Sequence, residues 1–199
     1  GKAHVDLKKI RYLFGGDLLR QGIATSMGVE ALQIPMFGLY GACSTSGEAL
    51  ALASMSAAAG YGGTMIAVTS SHFGSAEKEF RFPLGYANQR PLSSHWTVTG
   101  SGAFLVQSAE EYRKQNTKSY FSNIRITGVT VGKIVDYGLK DSQNMGACMA
   151  PAAMDTIVQN FQDMERKEKD YDRIITGDLG SIGRTILFDL IREKGYDIC

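Results

Sequence analysis

The chain has 199 residues, 21 Lys+Arg against 20 Asp+Glu, and 44% hydrophobic residues. This apolar content and near-zero net charge exclude a disordered chain, and they leave no basic footprint for nucleic acid. Cys43, Cys148 and Cys199 include no CxxC pair, and His4, His72 and His95 have no metal-ligand spacing. We therefore expect reduced thiols, no metal and no cofactor.

Ile10–Phe14 predicts a first strand, after which Gly15-Gly16-Asp17 is expected to open a helix holding Leu18, Leu19, Ile23, Ala24 and Met27. Pro35 precedes a short strand over Met36–Tyr40. Gly41-Ala42-Cys43-Ser44 turns sharply into a helix over about Thr45–Ala59, rich in alanine. Thr64–Ser70 is uncharged and β-rich, which predicts a central strand. Residues 49–76 carry no Asp, Glu, Lys or Arg, but Gly60, Gly62 and Gly63 break the run. It reads as a buried helix, a turn and a buried strand, not as a membrane span.

Ser71 to Thr97 is irregular, with Pro83, Gly85, Pro91 and several aromatics, and a loop of this length in a domain is usually functional. Gly102–Ser108 predicts another strand, and the charged stretch Glu110–Lys118 marks a boundary between halves at 1–108 and 109–199. Ile124–Val135 predicts a long strand with glycine interruptions. Pro151 is expected at a helix start, with Ala153, Ile157, Val158 and Phe161 following at helical spacing. Arg166–Asp170 reads as a solvated turn, and Asp172–Thr176 as a strand. A last helix is lined by Ile182, Ile186, Leu187, Leu190 and Ile191. No tandem repeat is visible. Both halves follow one plan of strand, glycine turn, helix and strand, which argues for a layered α/β fold.

Four residues stand out as site candidates. Cys43 sits at a strand-to-helix turn, where free helix amides could hold a thiolate or an oxyanion; the alternative is a buried structural cysteine. His72 follows the central strand directly, and strand ends are where sites gather in α/β folds; it is otherwise a surface residue. Arg81, with Lys78 and Arg90 in the same loop, could meet an anion or simply be solvated. Asp178, in Gly177-Asp178-Leu179-Gly180, is a cap or turn residue or a pocket residue. His95-Trp96, with Phe80, Phe82 and Tyr86, packs the long loop or walls a pocket. No Walker A motif exists, and Gly177-Asp-Leu-Gly-Ser-Ile-Gly183 is not a dinucleotide fingerprint in register.

The order of strand, GGDLLRQGIA, short strand, GACSTSGEAL, TMIAVTSSH and TGSGAFLVQ resembles the thiolase and ketoacyl-synthase superfamily. FGGDLLRQ, GLYGACSTSGEALALA, TSSHFGSAEKEFRFPLGYANQRP and WTVTGSGA are similar to its sporulation branch in spore-forming Firmicutes. The resemblance implies a thiolase-like layered α-β-α-β-α fold of two similar halves, here truncated at both ends. It implies a non-enzymatic dipicolinic acid-binding protein that supports dipicolinate uptake into the spore. It further implies other proteins of a membrane channel complex as partners, a place at the inner spore membrane periphery, and a homodimer when full length. In the ketoacyl-synthase pattern a histidine follows the strand that here reads Arg173–Thr176; this chain has Gly177-Asp178 there, and no histidine after His95. Condensation needs an activated thiolate and donors for a developing oxyanion. The departure therefore favours binding over an acyltransferase using Cys43 or a purely structural subunit. Dipicolinate is a flat ring with two carboxylates. Helix amides at Cys43, with His72, Arg81 and the aromatic loop, supply matching chemistry.

Overall fold

The computed structural model describes residues 5–19, 22–72, 74, 93, 95, 97–115, 124–141 and 143–198. The chain divides into two compact units, residues 1–76 with 97–126, and residues 77–96 with 127–199.

The first unit is built on four strands: β1 (Tyr12–Asp17), β2 (Met36–Gly38), β3 (Thr64–Ser71) and β4 (Gly100–Gln107). Their order is β2-β1-β3-β4. β1 pairs in parallel with β2 and β3, while β4 runs antiparallel to β3. β3 is thus an interior strand, as its uncharged composition predicts. Helix α1 (Ile23–Val29) follows β1, α2 (Thr45–Ala58) follows β2, and α3 (Ala109–Gln115) follows β4. α2 buries Thr45, Ala49, Ala53 and Ala57, a stripe at every fourth residue. These short side chains let the helix lie close on the sheet, where Phe14, Met65 and Ala67 complete the core. Phe14 and Phe37 face each other across the β1–β2 ladder and stack at 5.0 Å.

The glycine pair after Phe14 behaves differently from the sequence expectation. Gly15, Gly16 and Asp17 end β1 and do not open a helix; α1 begins only at Ile23, beyond Leu18 and Leu19. A Cβ on Gly16 would run into the carbonyl oxygen of Leu39 and come within 3.1 Å of Thr45 Cγ2. Glycine is what lets the strand end pass this close to the following elements. β2 also stops at Gly38, two residues short of Tyr40, and β4 begins two residues early, at Gly100.

The second unit packs α4 (Met145–Asp163) on α5 (Gly180–Glu193). Their shared core is Ala150, Met154, Leu179, Leu187 and Ile191. At the crossing, a Cβ on Gly183 would stand 2.7 Å from Gly146 Cα, so two glycines set the separation. Pro151 is not at the start of its helix. Asn144 accepts from Ala147 N at 3.1 Å and fixes the start at Met145, leaving Pro151 buried inside α4. Proline there removes one ladder hydrogen bond, which the core around Ala150 and Met154 offsets.

Ile124–Val135 and Asp172–Thr176 form no ladder. The first runs antiparallel along α4: Thr130 Oγ1 accepts from Asn160 Nδ2 at 2.9 Å, and Lys133 meets Asp155 at 3.1 Å. Asn160 Oδ1 also accepts from Tyr171 OH at 2.7 Å, so one amide ties both stretches to the helix. The composition is right for strands, but a strand needs a paired neighbour, and none is present among the described residues.

Candidate functional site

Because β1, β2 and β3 are parallel, their C-terminal ends share one edge of the sheet. Cys43 lies five residues beyond the end of β2, and His72 immediately beyond β3. The topology therefore brings these two predicted residues to the same end of the first unit.

The Cys43 turn is tied by its own hydroxyls. Ser44 Oγ donates to Gly41 O at 2.7 Å and Thr45 Oγ1 donates to Ala42 O at 2.8 Å. Gly41 N in turn donates to Thr45 Oγ1 at 3.0 Å. Ala42 has φ +49°, a left-handed conformation that costs a residue with a Cβ, and it stands directly before the cysteine. A short 3₁₀ turn, Ala42–Ser44, then feeds α2. The result is a strained elbow that presents an exposed Cys43. Partial burial disfavours the thiolate and pushes the Cys43 thiol above its ordinary value; a backbone hydrogen bond pulls it down less strongly.

Below the elbow lies a residue the sequence reading missed. Asp17 is 6% exposed. It accepts from Ala24 N and Thr25 N, each at 3.0 Å, from Ser70 Oγ at 2.6 Å, and from Thr25 Oγ1. Its carboxylate stands in for an N-cap, satisfying two free amides of α1 from a distance in sequence. The available signal was a lone acid ending a glycine-rich strand, matched by serines ending an otherwise apolar one.

His72 is exposed, and its Cε1 lies 3.4 Å from where a Cβ on Gly74 would sit. Arg81 lies outside the described residues, as do Lys78, Phe80, Phe82, Tyr86, Arg90 and Trp96. Asp178 belongs to the second unit and is exposed. Its Oδ1 accepts from Gly180 N at 2.9 Å, the turn-and-cap geometry that its setting predicts. It lines a groove of about 940 Å³ together with Arg173, Arg184 and Phe188. His95 packs its ring against Gly180 in the same unit. Among the described residues no group of His, Cys, Asp and Glu could hold a metal ion, and no helix is long and apolar enough to cross a membrane.

A mixed sheet whose three parallel strands end beside a strained cysteine elbow defines a class. The fold is thiolase-like, and solved structures agree. Xanthomonas campestris OleA bound with cerulenin superposes with a TM-score of 0.68 at 12% identity, covering 97% of this chain and 58% of OleA. MvaS in complex with 3-hydroxy-3-methylglutaryl coenzyme A gives 0.59 at 14%, covering 96% and 48%. At such identity the likeness carries the fold and no activity. The family is narrower: the Stage V sporulation protein AD family matches residues 1–199, and the chain belongs to it. Stage V sporulation protein AD of Bacillus subtilis (strain 168) is 42% identical over 189 residues, 95% of this chain and 53% of that protein. The chain spans about half the length of the relatives it matches.

Proposed function

We propose that this chain is part of a non-enzymatic protein that binds dipicolinic acid and supports its uptake into the developing spore. Membership of a sporulation family supports the setting. The observation that carries the binding role is the placement of the Cys43 elbow and His72 at one end of the sheet. Cys43 at the edge of a ligand site contributes shape and a weak donor. His72 shares that sheet end and offers a donor to a carboxylate. Arg81 is proposed as a counter-charge for the ligand, and Asp178 as a ligand contact through the turn of its own unit. The whole protein acts with other proteins of a spore membrane channel complex, as a homodimer at the periphery of the inner spore membrane.

The test is a calorimetric titration of the full-length protein with dipicolinate, beside Cys43→Ala and His72→Ala. Saturable binding that weakens roughly tenfold in either variant is the expected result. Absence of heat and saturation, together with covalent acyl transfer to Cys43 from an acyl-coenzyme A, sinks the reading in favour of an acyltransferase.

A further inference from the structure

We propose that Asp17, acting through Ser70, is the positioning device for His72; the inference rests on the reading of His72 as a ligand contact. β3 is apolar from Met65 to Val68 and then turns polar at Thr69-Ser70-Ser71. Successive side chains of a strand point to opposite faces, and the two serines use both. Ser70 Oγ donates to Asp17 Oδ1 on β1 at 2.6 Å. Ser71 Oγ donates to Val98 O, ahead of β4, at 2.7 Å. The backbone is held as well: Leu18 N donates to Ser70 O at 2.9 Å, and Ser71 pairs with Gly100. The last two residues before His72 are therefore pinned from both neighbouring strands, and the origin of the imidazole is fixed.

The Asp17 carboxylate is an expensive way to achieve this. It is buried, and among the described residues its donors are neutral amides and hydroxyls. Burying a carboxyl group costs free energy that good hydrogen bonds offset. Two hydroxyls would join β1 to β3 at lower cost. What the carboxylate adds is reach: one group holds α1 through Ala24 and Thr25, and β3 through Ser70. The two arms meet at Asp17 Oδ1, where Thr25 Oγ1 also lies 3.4 Å from Ser70 Oγ. Only the Ser70 arm leads to His72.

The arms can be cut one at a time in the full-length protein. Ser70→Ala removes the β3 arm, and Thr25→Val removes the α1 hydroxyl from the same carboxylate. Two signals are read in variants that still melt cooperatively: dipicolinate affinity and the ring-proton resonances of His72. Ser70→Ala is expected to weaken affinity roughly tenfold, as a small misplacement of a contact residue does, and to move the His72 resonances. Thr25→Val, which touches Ser70 Oγ but leaves its bond to Asp17 in place, is expected to move both by clearly less than Ser70→Ala. Unmoved His72 resonances in Ser70→Ala, or equal movement in Thr25→Val, overturn the proposal. A wild-type protein that does not bind dipicolinate defeats the functional reading instead, and the His72 resonances still decide the positioning role.

Discussion

Each unit has a polar side chain that joins separate segments of its chain, and the two do so differently. In the first unit, the buried Asp17 carboxylate collects donors from α1 and β3. In the second, the half-buried Asn160 amide joins Thr130 on one stretch to Tyr171 on another. A carboxylate only accepts, so its neighbours must all be donors. An amide both donates and accepts, so it can bridge a hydroxyl acceptor and a phenol donor. The first arrangement sits beneath a finished sheet. The second holds two β-rich stretches that pair with nothing among the described residues. Polar anchoring to a helix can therefore place a strand sequence without making it a strand; the ladder requires a neighbour.

The sharpest way to break the first unit is at Gly16. Gly16→Ala places a Cβ against the Leu39 carbonyl, which is backbone and cannot swing away. We expect a loss of roughly 3 kcal/mol, at the upper end of overpacking costs. Urea denaturation of the full-length protein measures it. A loss under about 1 kcal/mol would show that the β1 end and the elbow are not in the contact described.

The second unit should yield less to its own hub. Asn160→Ala leaves Thr130 Oγ1 and Tyr171 OH without that partner, but both lie where water can replace it in part. A loss of about 1–2 kcal/mol follows, with faster amide exchange across residues 128–133. If exchange there stays unchanged, the stretch is held by something other than this amide. The contrast with Gly16 tests whether the two units differ in tightness or only in composition.

The same contrast explains what could be read in advance. α2 and α5 are legible because their alanine and leucine spacings are local facts, and β3 because eight uncharged, β-rich residues have little else to become. The elbow at Cys43 is legible because glycine and small residues bracket a strand-to-helix turn. The errors fall where the deciding contact is distant in sequence. Gly15-Gly16-Asp17 looks like a helix start until Leu39 and Ser70 are placed beside it. Pro151 looks like a helix start until Asn144 is seen capping about two turns earlier. Ile124–Val135 reads as a strand because composition reports a preference for extended backbone and is silent on the partner. At Cys43 the helix end is visible in the sequence, but the partial burial that pushes the thiol up is not.

That last difference gives the smallest effect and the most direct check on function. A thiol whose folded pKa is raised binds its proton more tightly in the native state. Its contribution to stability is fully present below the pKa of the unfolded thiol, about 8.5. It is lost progressively as pH climbs from there through the folded value. Cys43→Ser removes this dependence, so the wild-type and variant stability curves should converge or cross on the alkaline side only. Iodoacetamide labelling reports the same group kinetically, since the thiolate is the reacting form. The labelling rate of Cys43 should rise at higher pH than that of a free model thiol labelled in parallel. If Cys43 instead labels faster than the free model thiol at pH 7, its thiolate is populated and the elbow is poised for acyl transfer, which counts against the binding reading.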